Sequence, residues 1–257
     1  MHIHHPCYDE DYIDLTAMDF EPWVQWLFTT DHSQWHDFCV SEPQKLLEYV
    51  TRLFNEFSQW VEPYTQNQID EAIWFLLGAQ LELGQYLMDR TIPLAQRLAC
   101  LRAMYHPFAD YLCKQGDNYQ GGGFFMWWDL IIDNHFCGAQ LITLDELKRR
   151  FGIDWGDAIE KSARSRRPLK ETLRAWEQLY REIDPDHRAL LDETLNVLKR
   201  ILALGEPCCE GAALHGLGHL WHPKSGEVVQ AFIHQHRASL NEESLQWLRN
   251  CRDGVVM

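Results

Sequence analysis

The sequence predicts an all-α protein, an α-α superhelix of stacked antiparallel helix pairs. Apolar residues recur with helical spacing in nearly every segment, and residues typical of helix starts and ends lie at the segment boundaries. No segment with the two-residue period of a strand is long enough to build a sheet. Because 46% of the residues are hydrophobic, the chain has ample apolar surface for a core.

Capping residues mark two helix starts. Thr143 and Glu146 have the spacing of a capping box, in which each side chain accepts a hydrogen bond from the other residue's backbone N–H. Asn241 is suited to the N-cap position of the last helix.

Prolines indicate further boundaries, because a first helical turn tolerates the missing N–H. Five prolines precede an apolar-periodic run: Pro22, Pro43, Pro93, Pro185 and Pro207. Pro107 instead interrupts such a run and predicts a break near His106.

The C-terminal part predicts two consecutive helix pairs. A stripe of leucines defines one helix face: Leu191, Leu195, Leu198 and Leu202. Gly205 and Pro207 then predict a short turn and a new helix. The next pair begins near Ser225, about 40 residues after Pro185, close to the ~40–47-residue period of HEAT and armadillo units. Two earlier apolar runs, at residues 69–77 and 94–104, fit the same pattern.

We expect one domain over residues 1–257. Residues 1–64 form an acidic N-terminal segment with its own helices, and residues 65–257 form the HEAT-like array. No proline- or serine-rich linker divides the two parts.

The charge is concentrated near the N-terminus. Residues 1–71 hold 14 acidic side chains against Lys45 and Arg52, a net of −12 out of −15 for the whole chain. Such a region repels phosphate backbones and attracts basic protein surfaces. It therefore predicts a protein partner with a basic surface and no nucleic acid, although a solvated surface that serves solubility alone is the alternative.

The start of the chain lacks the basic and apolar regions of a signal peptide, which predicts a cytoplasmic protein. No uncharged apolar run is long enough to span a membrane. The eight cysteines contain no Cys-x-x-Cys pair, so we expect reduced thiols.

Three histidines form the most distinctive candidate site. His215, His219 and His222 are spaced i, i+4 and i+7, so they share one helix face, and imidazoles one turn apart can bind one metal ion. However, the zincin glutamate is missing after the first histidine, and Pro223 is expected to end the helix near His222. The preferred interpretation is histidines that form hydrogen bonds in a groove between helices, with no metal or cofactor.

An aromatic run supplies the second candidate site. Asp129 and Asp133 lie one helical turn apart, directly after Trp127 and Trp128. Most of this run must be core, but we expect one tryptophan at the rim of a groove beside the carboxylates, where it could anchor a protein or peptide.

No catalytic residues are predicted. The chain contains neither a Gly-x-Ser-x-Gly elbow nor a Gly-x-x-x-x-Gly-Lys-Ser/Thr phosphate loop.

Three pieces of sequence carry a resemblance to a known family: Ile92-Pro93-Leu94 with Arg97 and Met104-Tyr105, then Met126-Trp127-Trp128-Asp129, and then Ala213-Leu214-His215-Gly216-Leu217-Gly218-His219. Together they resemble bacterial HEAT-like repeat proteins of mostly uncharacterised function, over roughly residues 65–237. The resemblance implies an α-α superhelix and a binding role rather than a reaction.

These observations favour a non-enzymatic protein-binding protein. A sharper version is an immunity-type antagonist that masks a basic bacterial protein. The alternative is a metal-dependent enzyme that uses the face of His215 and His219. A DNA-lesion enzyme on a HEAT-like scaffold would need a basic concave face, which the acidic charge disfavours.

Overall fold

The computed structural model describes residues 12–32, 38–132 and 141–256. Nearly all regular structure in these ranges is helical, which confirms the all-α class. The exception is a parallel pairing of two-residue strands, β1 (Ile13–Asp14) and β2 (Phe38–Cys39). Two residues are too few to show a strand period, so the sequence did not reveal this pairing.

The first eight α-helices are α1 (Phe20–Thr29), α2 (Pro43–Asn55), α3 (Phe57–Val61), α4 (Gln66–Leu77), α5 (Leu83–Met88), α6 (Leu94–Ala103), α7 (Cys113–Gln115) and α8 (Gly123–Ile131). The others are α9 (Leu144–Phe151), α10 (Trp155–Arg164), α11 (Lys170–Glu182), α12 (Pro185–Leu202), α13 (Pro207–His219), α14 (Ser225–His236) and α15 (Glu242–Asp253).

Side-chain caps begin α9 and α15 as predicted. The Glu146 N–H donates to Thr143 Oγ1 at 3.2 Å, and the Ser244 N–H donates to Asn241 Oδ1 at 2.8 Å. The full capping box, with bonds in both directions, occurs instead at Thr65 and Gln68, at the start of α4.

The five prolines lie in or directly before a first helical turn, as predicted. Pro43, Pro185 and Pro207 are the first residues of α2, α12 and α13, and Pro93 is the N-cap of α6. Pro22 lies inside the first turn of α1, which begins at Phe20.

Pro107 breaks the helical run as expected. Helix α6 ends at Ala103, and a π-helical segment follows at Pro107–Leu112. The cause is the missing N–H of proline, which removes one hydrogen bond from the helical ladder.

The two C-terminal helix pairs are present. Helix α12 packs against α13 after a turn in which Gly205 has φ +76°, and α14 packs against α15. The earlier pairing differs from the prediction, because α4 packs mainly on α8, and α6 packs on α2 and α12.

Helix α13 lies at the centre of these contacts. It packs against α8, α12, α14 and α15, and it is apolar and buried on nearly every side. In a solenoid each repeat contacts only its neighbours in sequence. Because α8 is distant from α13 in sequence, the repeat superhelix is not confirmed.

Two glycines of the Ala-Leu-His-Gly-Leu-Gly-His motif make this packing possible. A Cβ atom on Gly216 would lie 2.6 Å from Trp128 Cβ, and one on Gly218 would lie 2.9 Å from Val256 Cγ1. The glycines therefore let α8 and the segment after α15 approach α13 closely.

The buried apolar residues form one contiguous cluster that extends from Leu15 to Val256. The division into an N-terminal segment and an array within one domain stays a prediction. None of the helices in the described ranges combines the length and apolar character needed to cross a bilayer.

The expectation of reduced thiols is wrong for Cys39. Cys39 is disulfide-bonded. The free thiols among the described residues are Cys100, Cys113, Cys208, Cys209 and Cys251.

Candidate functional site

His215 and His219 form a buried pair on α13. One helical turn separates them, and their Nε2 atoms lie 3.1 Å apart. The two rings meet edge to face, with centroids 4.6 Å apart. The helix period alone therefore brings both imidazoles to one point in the core.

The opposite ring nitrogens face oxygen atoms of α8. Asp129 Oδ1 lies 3.4 Å from His219 Nδ1, and the carbonyl oxygen of Phe125 lies 3.4 Å from His215 Nδ1. Each acceptor favours a proton on the Nδ1 atom beside it. In that tautomer both Nε2 atoms carry lone pairs, and a proton or a metal ion between them would make their contact favourable.

His222 belongs to a separate cluster, because α13 already ends at His219. Its Nε2 lies 3.0 Å from Asp192 Oδ1, and its Nδ1 accepts the backbone N–H of Lys224 at 3.1 Å. The Tyr180 hydroxyl also donates to Asp192, at 2.8 Å. Burial lowers the pKa of His222, so the neutral ring with its proton on Nε2 is favoured.

The prediction of a tryptophan at a groove rim is wrong. Trp127 and Trp128 are both 0% exposed. Helix α8 lies between α4 and α13, so both indoles are directed into the core, where Trp128 fills the space left by Gly216. Asp133, the fourth residue of that candidate site, lies outside the described residues.

Two other aromatic side chains are exposed in this region. Phe125 is 42% exposed and stacks on His215, with ring centroids 4.5 Å apart. Trp74, on α4, is 39% exposed, and its ring lies beside Gly122 at the start of α8. The exposed aromatic residue one helical turn from Asp129 is therefore Phe125, which the sequence interpretation passed over.

Helices α4, α8 and α13 together form what we call the aromatic–acidic surface. It contains the exposed rings of Trp74 and Phe125. These three helices contain no Lys or Arg, and their carboxylates are Asp70, Glu71, Asp129 and Glu210.

Asp70 connects two parts of this surface. Its Oδ1 accepts the Tyr119 hydroxyl at 2.9 Å and the Gly123 N–H at 2.7 Å. A carboxylate at the N-terminus of α8 is favourable for the helix dipole, so Asp70 holds α4 and α8 together.

In the part of the chain that the structure describes, metal binding would depend on the histidine pair. Among residues 12–32, 38–132 and 141–256, no group of three or more His, Cys, Asp and Glu side chains has the arrangement to hold a metal ion. His215 and His219 supply two nitrogen ligands, and Asp129 would orient His219 from the second shell.

These features define an all-α protein with a buried histidine pair in its central helix and an aromatic–acidic surface above it. In comparisons with models of protein families, with curated proteins and with solved structures, nothing matches the chain. The HEAT-like resemblance therefore stays a prediction.

Proposed function

We propose that the protein binds another protein that has a basic surface, and that the aromatic–acidic surface is the contact region. One observation carries the proposal. Two large aromatic side chains, Trp74 on α4 and Phe125 on α8, are exposed, and these two helices together with α13 hold four carboxylates and no Lys or Arg.

Exposed aromatic rings are suitable anchors for a partner. Aromatic residues are enriched at protein interfaces and account for much of the binding energy. The ring of Phe125 is held in place from below by its stacking on His215. A ring that is already ordered loses little conformational entropy when a partner covers it.

The charge of the surface selects the partner. The helices of Asp70, Glu71, Asp129 and Glu210 contain no Lys or Arg. Such a surface accelerates the encounter with a basic protein and repels an acidic one. The immunity-type antagonist of a basic bacterial protein is the sharper form of this proposal.

Affinity capture from native cell extract would test it. The bait is the full chain, compared with the double variant Trp74→Ala/Phe125→Ala. Leu144→Ala is the matched control, because Leu144 is an exposed apolar residue on α9, which lies outside this surface.

The captured protein is then purified and its affinity measured by calorimetry. We expect a basic partner whose binding is at least about tenfold weaker to the double variant and unchanged for the control. A partner that is acidic, or that binds all three baits equally, would contradict the proposal.

A metal-dependent enzyme is the second candidate, favoured by the facing Nε2 atoms of His215 and His219. A metal ion about 2.0–2.1 Å from both nitrogens would fit a separation of 3.1 Å and would replace the repulsion of two lone pairs by two coordinate bonds. Water or a substrate would supply the other ligands.

Titration with Co²⁺, followed by its visible absorption, separates the two candidates. Under the enzyme hypothesis, one equivalent of Co²⁺ binds to the intact protein, and its absorption bands are lost in His215→Gln and in His219→Gln. His234→Gln serves as the control, because His234 is an exposed histidine on α14. Binding that survives both pair variants would end the metal hypothesis.

A further inference from the structure

A small cavity lies on the opposite side of α13 from the aromatic–acidic surface. It has a volume of about 130 Å³ and lies between α11, the end of α13, the start of α14 and the end of α15. A cavity of roughly 150 Å³ is large enough to hold benzene. This one is close to that size and accommodates a single aromatic ring.

Two stacked tryptophans form one wall of the cavity. The rings of Trp176 and Trp221 lie 4.2 Å apart and 13° from parallel. Their indole N–H groups donate to the carbonyl oxygens of Asp253 and Gly254, at 3.3 and 3.0 Å. Since these donors are engaged, the indoles offer a ligand only their apolar surfaces.

The backbone of Trp221 is in a conformation that L-residues rarely adopt, with φ +49°. Such a conformation costs free energy and is found most often at functional sites. Here it follows the end of α13, and the indole both lines the cavity and stacks on the ring of Trp176. Leu169, Leu173 and Leu217 complete the apolar lining.

Ser225 is the polar group of the cavity that is open to a ligand. It is 4% exposed, and its hydroxyl oxygen has no hydrogen-bond partner among the described residues. It is also the first residue of α14, whose positive dipole end favours an oxygen acceptor nearby. A buried hydroxyl without a partner is unfavourable, so a ligand oxygen here would satisfy it.

Two charged groups of the cavity, Arg252 and Asp253, are paired with each other. Asp253 accepts hydrogen bonds from Arg252 at 3.1 and 2.7 Å, and the remaining Arg252 donors bind Gln230 and the carbonyl oxygens of Ser165 and Arg167. His222, which also lines the cavity, has both ring nitrogens engaged.

The exposed carboxylate at the cavity, Glu227, disfavours an anionic ligand. With the other charges paired, the site favours a neutral molecule.

From this geometry we propose that the cavity binds a small neutral aromatic molecule that carries one hydrogen-bonding oxygen, with Ser225 as its polar anchor. Phenol and toluene are suitable probes, because they have nearly the same shape and differ in the hydroxyl group. The full chain is titrated with each probe, and binding is followed by ligand-observed NMR.

Wild-type protein is expected to bind phenol more tightly than toluene. Ser225→Ala should weaken phenol binding roughly five- to tenfold and leave toluene binding unchanged, because a single hydrogen bond is lost. Because the substitution removes a hydroxyl without a partner, the melting temperature of the free protein should not fall. An unchanged melting temperature would show that the weaker phenol binding is not caused by misfolding.

A second variant tests whether the probes bind in this cavity. Leu173 lies at the cavity and is partly exposed, so Leu173→Trp should fill the opening and abolish binding of both probes. Leu144→Trp is the control, an exposed leucine away from the cavity. The proposal is overturned if phenol has no advantage over toluene, if that advantage survives Ser225→Ala, or if Leu173→Trp binds both probes normally.

Discussion

At the scale of single residues, the contacts around several charged side chains explain why they are buried. Arg97 is the clearest example, because it lies within one piece of the resemblance to HEAT-like proteins. Its guanidinium donates to the carbonyl oxygens of Ile92 and Leu87, at 3.0 and 3.3 Å, and to Asp186, at 2.7 Å. Arg97 therefore fixes the turn before α6 to the start of α12.

Replacement of Arg97 should be costly. Arg97→Ala leaves two carbonyl oxygens without their donor, and we expect a loss of about 3 kcal/mol in the free energy of unfolding. Arg90→Ala is the matched control, because the Arg90–Asp184 pair is exposed and should be worth less than about 1 kcal/mol. Urea denaturation measures both, and equal effects would refute the role given to Arg97.

His222 makes stability depend on pH. Burial holds its pKa below the usual 6.5, so the unfolded chain binds this proton more readily than the folded chain does. The contribution of His222 to the free energy of unfolding is fully present above pH 6.5. It is lost as the pH falls through the pKa that His222 has in the folded state.

We therefore expect the free energy of unfolding to decrease between pH 7.5 and 5.5, and to decrease less in His222→Gln. His234→Gln should follow the wild type, because His234 is exposed. Denaturant titrations at the two pH values make the comparison. An unchanged pH dependence in His222→Gln would show that other groups are responsible.

At the scale of elements, helix α13 determines how closely the others can pack. Gly216→Ala would place a Cβ atom 2.6 Å from Trp128 Cβ and 2.9 Å from Leu198 Cδ2. Because the neighbouring backbones must shift, we expect a loss of about 1–3 kcal/mol.

Gly211→Ala is a matched control on the same helix. Its Cβ would approach no atom more closely than Phe125 Cε2, at 4.0 Å, and alanine favours a helix interior over glycine by roughly 1 kcal/mol. This variant should be neutral or slightly more stable in thermal melting. Similar losses for both glycines would mean that close packing is not the cause.

At the scale of the whole molecule, the acidic charge should govern how quickly the proposed partner binds. With a net charge of −15, association with a basic protein is steered electrostatically, and salt screens that steering. We expect the association rate constant to fall about tenfold or more between low and physiological ionic strength, while dissociation changes little. Stopped-flow fluorescence measures both rates, and a salt-independent association would contradict electrostatic steering.

Across the whole molecule, the sequence predicted helix ends better than it predicted which helix faces are buried. Helix ends depend on local chemistry, so the starts at Thr143, Asn241 and Pro185 and the break at Pro107 were predicted correctly. The orientation of α8 was not, because Phe124 to Ile132 is apolar on all sides and its period does not indicate which face is exposed.

For the candidate site as well, features within one helix were predicted and features that depend on contacts between helices were not. The spacing of His215 and His219 predicted their proximity, since both lie on one helix. The contribution of Asp129, the exposure of Phe125 and Trp74, and the cavity at Ser225 all depend on contacts between helices, which periodicity does not encode.

The covering of His215 by Phe125 also has a kinetic consequence. The imidazole lies beneath a ring that is itself at the surface, so an ion or proton entering from that side must wait for the ring to move. Uptake by the pair would then approach a constant rate at high ion concentration, set by the opening of Phe125 rather than by diffusion. A partner bound over Phe125 would close this route to the histidines.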